Sequence, residues 1–480
     1  MKKTKKRSAH WYIAAPIVLV TVVLYGGRFL TGIENSYLDF LFNARLEIWG
    51  VRPIDDRLIL AAIDDKSIRE IGKVPWPRSV YARLLDELFK YSPNAIALDV
   101  LFTEPDKRNP EEDQALVAAT KRHNDKIIHS FFEAVENTSG GTLALPRITI
   151  EKPFTGLLEL KGRLGFVDNQ KISGNDVFSM TDPDGAVRRA FLAKQTAEGE
   201  VALSLGSQIF AKLNGYDETA YIKKGFPEEI TINFPGVVRQ YTQGGKVIEN
   251  EPYTQVSITD ILEHRLSAEL KARLKGSLIF IASVATGYYD HYPTPYSPST
   301  PGVVIHMYAL ENLIKGNFIT SAPRLLHIAL IVLLGFLFSV TLQRFSAFAN
   351  SMLLAGTLAL LLTVSLLLFV YKNMLLDISV AGISTLFIVA SATLYRFAAE
   401  EKEKRWIRTT FGQYLSPKVV DLIVKSPDAL RLGGEKRLMS VMFLDIAKFT
   451  TLSEKMAPEE LTGALNYFLT HFTECVLAHD

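Results

Sequence analysis

Four long apolar runs divide the chain. The first, residues 11–30, follows a basic cluster at residues 2–7, and three more occupy residues 325–342, 348–371 and 374–395. A helix needs about 20 mostly apolar residues to cross the hydrocarbon core of a membrane. The three late runs are separated by loops of only a few residues, which is not typical of helices in a soluble core. The pattern therefore predicts four transmembrane helices.

The basic residues predict how these helices are oriented. Residues 1–10 are rich in lysine and arginine, and such flanks stay in the cytoplasm. The long segment at residues 31–322 then lies outside the cell, and four crossings return residues 396–437 to the cytoplasm. A cleaved signal peptide is the alternative for residues 11–30, but the run lacks the small-residue cleavage site of such peptides.

The exported segment alternates between strand and helix patterns. Residues 57–64, 95–102 and 278–282 are short apolar runs, which are typical of strands buried on both faces. Residues 77–91, between the first two runs, place apolar side chains at helical spacing. A strand, a helix and a second strand predict a parallel pair joined by a crossover. We therefore expect a mixed α/β domain.

Charge and cysteine content narrow the range of partners. The 53 basic residues nearly balance the 51 acidic ones. Nucleic-acid-binding proteins usually carry a basic excess, so nucleic acid is not an expected partner. Membrane lipid is one, because of the four apolar runs. Cys475 is the single cysteine, which excludes an intrachain disulfide. The exported domain must therefore be stabilised by its own core.

Near the C-terminus, an acidic residue follows a predicted strand. Residues 438–444 have a strand pattern that ends at Asp445, and Pro458 begins a helix with acidic residues in its first turn. A carboxylate at a strand end can hold a divalent cation, and the backbone N–H groups after it can face phosphates. The alternative is that Asp445 only caps the next turn, and spacing alone favours that alternative.

Several motifs in the exported segment resemble one sensor family. They are the sequences at residues 76–81, 97–102 and 301–306, together with the turn at residues 182–185 and Arg188 after it. In combination they resemble the CHASE-type extracellular sensors of bacterial receptors, second subtype. The resemblance covers nearly all of the exported segment. It implies a multi-pass protein of the bacterial inner membrane with its sensor outside.

Two features leave the ligand of this sensor open. The sequence at residues 182–185 suits either calcium or a β-turn, and the turn is favoured because the twelve-residue loop with its final glutamate is missing. Asp290, His291 and Tyr292 form either a ligand site or an ordinary exposed loop. The ordinary loop is favoured because no second cluster of metal ligands supports a site. The sequence does not identify the signal.

The cytoplasmic end resembles a catalytic family. Residues 441–454 closely match the first catalytic motif of the class III adenylyl and guanylyl cyclases, and residues 411–417 resemble the coupling element that precedes many of these domains. The resemblance implies that residues 438–480 are the N-terminal part of an α+β, ferredoxin-like cyclase domain. On this comparison the rest of the catalytic groups are expected after Asp480.

The resemblance assigns roles to four residues. Asp445 and the backbone carbonyl of Ile446 are expected to hold two divalent metal ions, magnesium or manganese. The amides of Phe449 and Thr450 are expected to contact the triphosphate. Lys448 departs from the small residue that is frequent at its position in the family.

The combined interpretation is a homodimeric receptor cyclase that makes cyclic nucleotide, with ATP favoured over GTP as the substrate. With the catalytic groups incomplete, residues 1–480 alone are expected to be inactive. The alternatives are a non-catalytic membrane sensor or dimerisation protein and a sensor kinase fragment. The kinase is disfavoured because no kinase loop or phospho-accepting histidine helix follows the last apolar run.

Overall fold

A computed structural model describes the protein. The chain divides into two compact units, Met1–Phe397 and Ala398–Asp480. The described residues are 2–136, 147–167, 170–173, 176–179, 181–196, 200–241, 247–250, 252–285, 290–412, 420 and 442–478. The helices are α1 (Lys2–Gly26), α2 (Thr31–Trp49), α3 (Asp65–Ile71), α4 (Arg78–Phe89), α5 (Pro110–Arg122), α6 (Thr155–Leu158), α7 (Leu205–Leu213), α8 (Glu218–Lys223), α9 (Ile258–Leu262), α10 (Ala268–Leu274), α11 (Gly302–Lys315), α12 (Arg324–Arg344), α13 (Ala347–Lys372), α14 (Ser379–Phe411), α15 (Phe449–Ser453) and α16 (Pro458–Ala478).

Most strands are short and belong to the first unit. They are β1 (Leu58–Ile63), β2 (Ala95–Asp99), β3 (Ile127–Glu136), β4 (Arg147–Glu151), β5 (Arg163–Phe166), β6 (Gln170–Ser173), β7 (Asp176–Ser179), β8 (Arg189–Phe191), β9 (Ala193–Gln195), β10 (Val201–Leu203), β11 (Glu229–Thr231), β12 (Val238–Tyr241), β13 (Val247–Asn250), β14 (Thr254–Ser257), β15 (Leu278–Ser283), β16 (His291–Tyr292), β17 (Thr300–Pro301), β18 (Thr320–Ser321) and β19 (Met374–Leu375).

A seven-stranded sheet forms the centre of the first unit. Its order is β14–β1–β15–β2–β3–β4, with β5 also paired to β3. Every neighbouring pair is parallel except β3 and β4. The predicted strands at residues 57–64, 95–102 and 278–282 are confirmed, and so is the helix between the first two. The predicted direct pairing of β1 with β2 is wrong because β15, from much later in the chain, lies between them.

The sheet is buried on both faces. Alternate residues of β1 point into different cores: Leu58 and Leu60 pack on the side of α7 and α11, while Ile59 and Ala61 pack on the side of α4 and α9. Parallel strands that are covered by helices on both faces appear in the sequence as continuous apolar runs. This burial explains why the three strand predictions from sequence succeed.

Among the residues that the structure describes, three helices are long and apolar enough to cross a membrane: α12, α13 and α14. The segment of α1 from Tyr12 and the following α2 also pass this test as a pair, but the chain bends by 82° between them. The count is therefore three spans, or up to four if the bent pair is one span. The predicted first run at residues 11–30 thus lies mostly in α1 and ends at the bend.

The last apolar run differs most from its prediction. It was expected to begin at Met374, but Met374 and Leu375 pair in parallel with Thr320 and Ser321, and α14 begins at Ser379. The helix then continues to Phe411, into the segment predicted as a linker at residues 396–437. Its charged stretch is rich in Ala, Glu, Lys and Arg, which favour helix, so the end of the apolar run does not end the helix.

Candidate functional site

The turn after β7 is a reverse turn. The N–H of Gly185 donates to the carbonyl of Asp182 at 2.8 Å, and Gly185 has a φ of +81°. Glycine adopts this left-handed conformation without steric cost. The predicted β-turn is confirmed, and the carboxylate of Asp182 is directed to arginine side chains.

Arg188 follows this turn and is held by three carboxylates. Its guanidinium contacts Asp39 of α2 at 2.6 Å, Asp182 at 2.7 Å and Asp184 at 2.7 Å. Burial disfavours the charge of Arg188, but the hydrogen bonds from these three acids outweigh it and raise the pKa of the guanidinium. Only 4% of the Arg188 side chain is exposed. The network therefore joins the turn to α2, the helix that follows the chain bend.

A second buried network connects the sheet unit to the α13–β19 turn. Both oxygens of Glu311, on α11, accept hydrogen bonds from Arg52 at 2.8 Å. Burial alone raises the pKa of Glu311, but Arg52 and Lys315 lower it overall. Asn312 accepts from the backbone of Asn233, whose side chain donates to Asn373 at 2.9 Å. Together with the β18–β19 pair, these bonds connect the domain around the sheet to the turn after α13.

The carboxyl end of the sheet holds a pair of acids. Burial, and after it the negative charge of Asp290, together raise the pKa of Asp99, at the end of β2, to about 8. Asp290 lies at the start of α11, where its backbone carbonyl accepts from the N–H of Gly302 at 3.1 Å. His291 and Tyr292 form β16, paired with β17. Within the described part of the chain, no three His, Cys, Asp or Glu residues are grouped so that they could hold a metal ion.

In the second unit, Asp445 precedes a short helical turn. Its carboxylate accepts a hydrogen bond from the N–H of Ile446 at 2.9 Å, and the carbonyl of Ile446 accepts from the N–H of Phe449 at 3.2 Å. Thr450 follows in α15. Lys448 has a φ of +60° and directs the chain into that helix. The four residues predicted to form a site are thus close in one turn, as their sequence spacing requires.

Within the described residues, the strand predicted before Asp445 is not formed, and most side chains around this turn are exposed. Residues 438–441 lie outside the described part, and residues 442–446 form no strand, with Phe443 94% exposed. The predicted helix at Pro458 is confirmed as α16. Its predicted apolar face is partly exposed, including Phe468 at 41% and Phe472 at 38%. Asp445 is also exposed, so its carboxylate is accessible to a cation and fits the role of one metal ligand.

The sequence analysis did not identify most of the residues that connect the domain around the sheet to the long apolar helices. Asp39, Asn233 and Asn373 carry no local signal, because their partners are distant in the chain. Glu311 does carry a local signal, because it is a charged residue inside the apolar helix α11. An acid in such a position is almost never fully buried without a partner.

Two comparisons with known proteins found similarity to this chain. Residues 15–341 match the CHASE2 domain. The chain is also 38% identical over 74 residues to "Adenylate cyclase 1" of Rhizobium meliloti (strain 1021), a stretch that covers 15% of the chain and 11% of that relative. The chain thus spans about a tenth of the length of this relative. No solved structure shows significant similarity to the chain.

Proposed function

Because the chain belongs to the CHASE2 domain family, we propose that it is a membrane receptor that detects an extracytoplasmic signal and controls the synthesis of a cyclic nucleotide. The family match includes more than half of the chain. Three helices apolar enough to cross a membrane follow the sensor sheet, which is consistent with a membrane protein. The single observation that supports catalysis is the 38% identity to an adenylate cyclase.

The proposed reaction converts ATP to cyclic AMP and releases pyrophosphate. ATP is proposed over GTP because the matched relative is named an adenylate cyclase. Two divalent ions, magnesium or manganese, would supply activation of the 3′-hydroxyl and charge stabilisation at the phosphate when bound. Asp445 and the carbonyl of Ile446 would hold them, and the amides of Phe449 and Thr450 would face the triphosphate. We propose a homodimer, with each subunit contributing to a shared site.

The proposal is tested in a bacterial strain that lacks its own cyclases. The protein is expressed from its native gene, and cyclic AMP and cyclic GMP are measured in washed membranes with ATP or GTP and manganese. We expect metal-dependent cyclic AMP from ATP. A membrane fraction that contains the protein but makes neither nucleotide would contradict the enzymatic half and favour a non-catalytic sensor. Cyclic GMP alone would contradict the choice of ATP.

Topology is a separate prediction. At Gly225, in an exposed turn after α8, an alkaline phosphatase fusion should be active and a green fluorescent protein fusion should not fluoresce. Fusions at Ser346, between α12 and α13, and at Ala457, before α16, should give the reverse result. The physical reason is the basic N-terminus with an even number of crossings. A cytoplasmic signal at Gly225 would contradict this orientation, and an exported signal at Ser346 would contradict four crossings.

A further inference from the structure

A cavity of about 350 Å³ lies where the sensor meets the outer ends of the apolar helices. Five parts of the chain line it: the bend between α1 and α2 with the start of α2, the turn with Arg188, Thr231 of β11, the start of α12 and the segment before α14. Its volume is within the range of about 300–1,000 Å³ that is common for small-molecule sites. All of these parts belong to the same compact unit.

Asp377 lines this cavity and is itself a buried acid. The residue is only 7% exposed. Its Oδ1 atom accepts from the N–H of Ser379 at 2.7 Å and so caps α14. Its Oδ2 atom is buried and has no hydrogen-bond partner among the described residues. A buried carboxylate oxygen without a donor is costly, so this position favours a ligand that brings a cationic donor.

A hydrogen-bonded chain fixes the wall next to Asp377. The backbone N–H of Asp377 donates to Nε2 of His327 at 3.1 Å, which leaves Nδ1 of the neutral ring to donate to the hydroxyl of Tyr25 at 2.8 Å. The chain links α1, α12 and the segment before α14. Glu34, on α2, adds a second acid to the lining of the cavity.

Two arginines give the same cavity an anion-binding side. Arg28 lies at the bend and Arg324 is the first residue of α12, and both side chains are exposed. Neither guanidinium has a hydrogen-bond partner within the described residues, whereas Arg188 and Arg189 are paired with Asp182. Arginine presents a planar fork that matches phosphate oxygens. The cavity therefore offers both a cation site and an anion site.

We propose that this cavity binds a zwitterion that carries a primary ammonium and a phosphate, that is, a ligand of the phosphoethanolamine class. The ammonium would donate to Oδ2 of Asp377, and the phosphate would accept from Arg28 and Arg324. Arg324 and Ser379 begin two of the helices that can span a membrane, so the cavity lies at the level of lipid headgroups. The ligand is either the headgroup of a phospholipid or a soluble phosphoethanolamine, and both have the chemistry that the cavity fits.

The test uses the full chain in detergent and follows its Tm by tryptophan fluorescence. Phosphatidylethanolamine, phosphatidylcholine, phosphatidylglycerol and soluble phosphoethanolamine are titrated separately. We expect phosphatidylethanolamine to raise the Tm with saturation. Phosphatidylcholine, whose quaternary ammonium has no N–H, and phosphatidylglycerol, which has no ammonium, should have smaller effects. A response to the soluble compound identifies a soluble source, and a response to the lipid alone identifies the membrane.

Variants connect the response to the named residues. Asp377→Asn keeps an acceptor for Ser379 but removes the charge, and should raise the apparent Kd for phosphatidylethanolamine by about tenfold. Arg324→Gln should raise the apparent Kd by a similar factor, because it removes a charged donor to the phosphate. Arg344→Gln, at the other end of α12, is the matched control and should bind like the wild type. Because Arg324 is exposed, its variant keeps the test valid even if Asp377→Asn does not fold.

The results that would overturn the proposal are equally specific. Equal responses to phosphatidylethanolamine and phosphatidylcholine would show that no ammonium is recognised. Equal binding of phosphatidylglycerol would show a site for anions alone. An unchanged Kd in Arg324→Gln, or in a folded Asp377→Asn variant, would place the effect elsewhere. None of these measurements depends on cyclase activity, so the result is independent of the proposed catalytic function.

Discussion

Asp445→Asn, introduced into the native gene, is expected to lower metal-dependent cyclic nucleotide synthesis in membranes by about 100-fold or more. The amide has nearly the size of the carboxylate but brings no negative charge to a divalent cation. A metal ion contributes several kcal/mol to the stabilisation of transition-state charge, and each 1.36 kcal/mol corresponds to a factor of ten in rate. Even partial loss of the metal therefore has a large effect. The measurement is the initial rate of cyclic AMP formation at several manganese concentrations.

Glu459→Gln is the matched control for this variant. It makes the same chemical change at an exposed acid in the first turn of α16. We expect its rate to stay within twofold of the wild type, and both variants should reach wild-type levels in the membrane. Wild-type activity in Asp445→Asn would show that Asp445 only accepts the hydrogen bond from Ile446. Equal losses in both variants would indicate damage to the second unit rather than loss of a metal ligand.

The sequence predicts those elements whose signal is local. The strands β1, β2 and β15 are apolar throughout because both faces of the sheet are covered, and α12 and α13 are continuous apolar runs. The start of α16 is also local, since Pro458 and the two acids after it favour a helix N-terminus. The turn that begins at Asp182 is also predicted locally, because Gly185 is a residue that favours turns.

Features that depend on distant partners are not visible in the sequence. β15 lies between β1 and β2 although more than 170 residues separate it from β2. Met374 reads as part of an apolar helix, but Thr320 pairs with it and makes it a strand. The same limit applies to the cavity, because Asp377, Arg28 and Arg324 come from three separate parts of the chain. Periodicity carries no information about such contacts.

Arg188→Ala is expected to lower the free energy of unfolding of the sensor by about 3–5 kcal/mol, which is the usual cost of removing one partner of a buried ion pair. The side chain of Asp182 is 1% exposed and that of Arg188 is 4% exposed. Without Arg188, Arg189 is the one ion-pair partner left to the buried carboxylate of Asp182 among the described residues, and Asp39 of α2 loses its ion pair with the turn. The measurement is chemical denaturation of the full chain in detergent, followed by tryptophan fluorescence.

The neighbouring Arg189 provides the control for this change. Its side chain is 47% exposed, although it also contacts Asp182. Exposed ion pairs contribute about 0–1 kcal/mol, because water screens them and the side chain loses conformational freedom on pairing. Arg189→Ala should therefore cost about 1 kcal/mol or less. Equal costs for the two variants would mean that burial of Arg188 adds nothing, and that the link between the Asp182 turn and α2 does not stabilise the sensor.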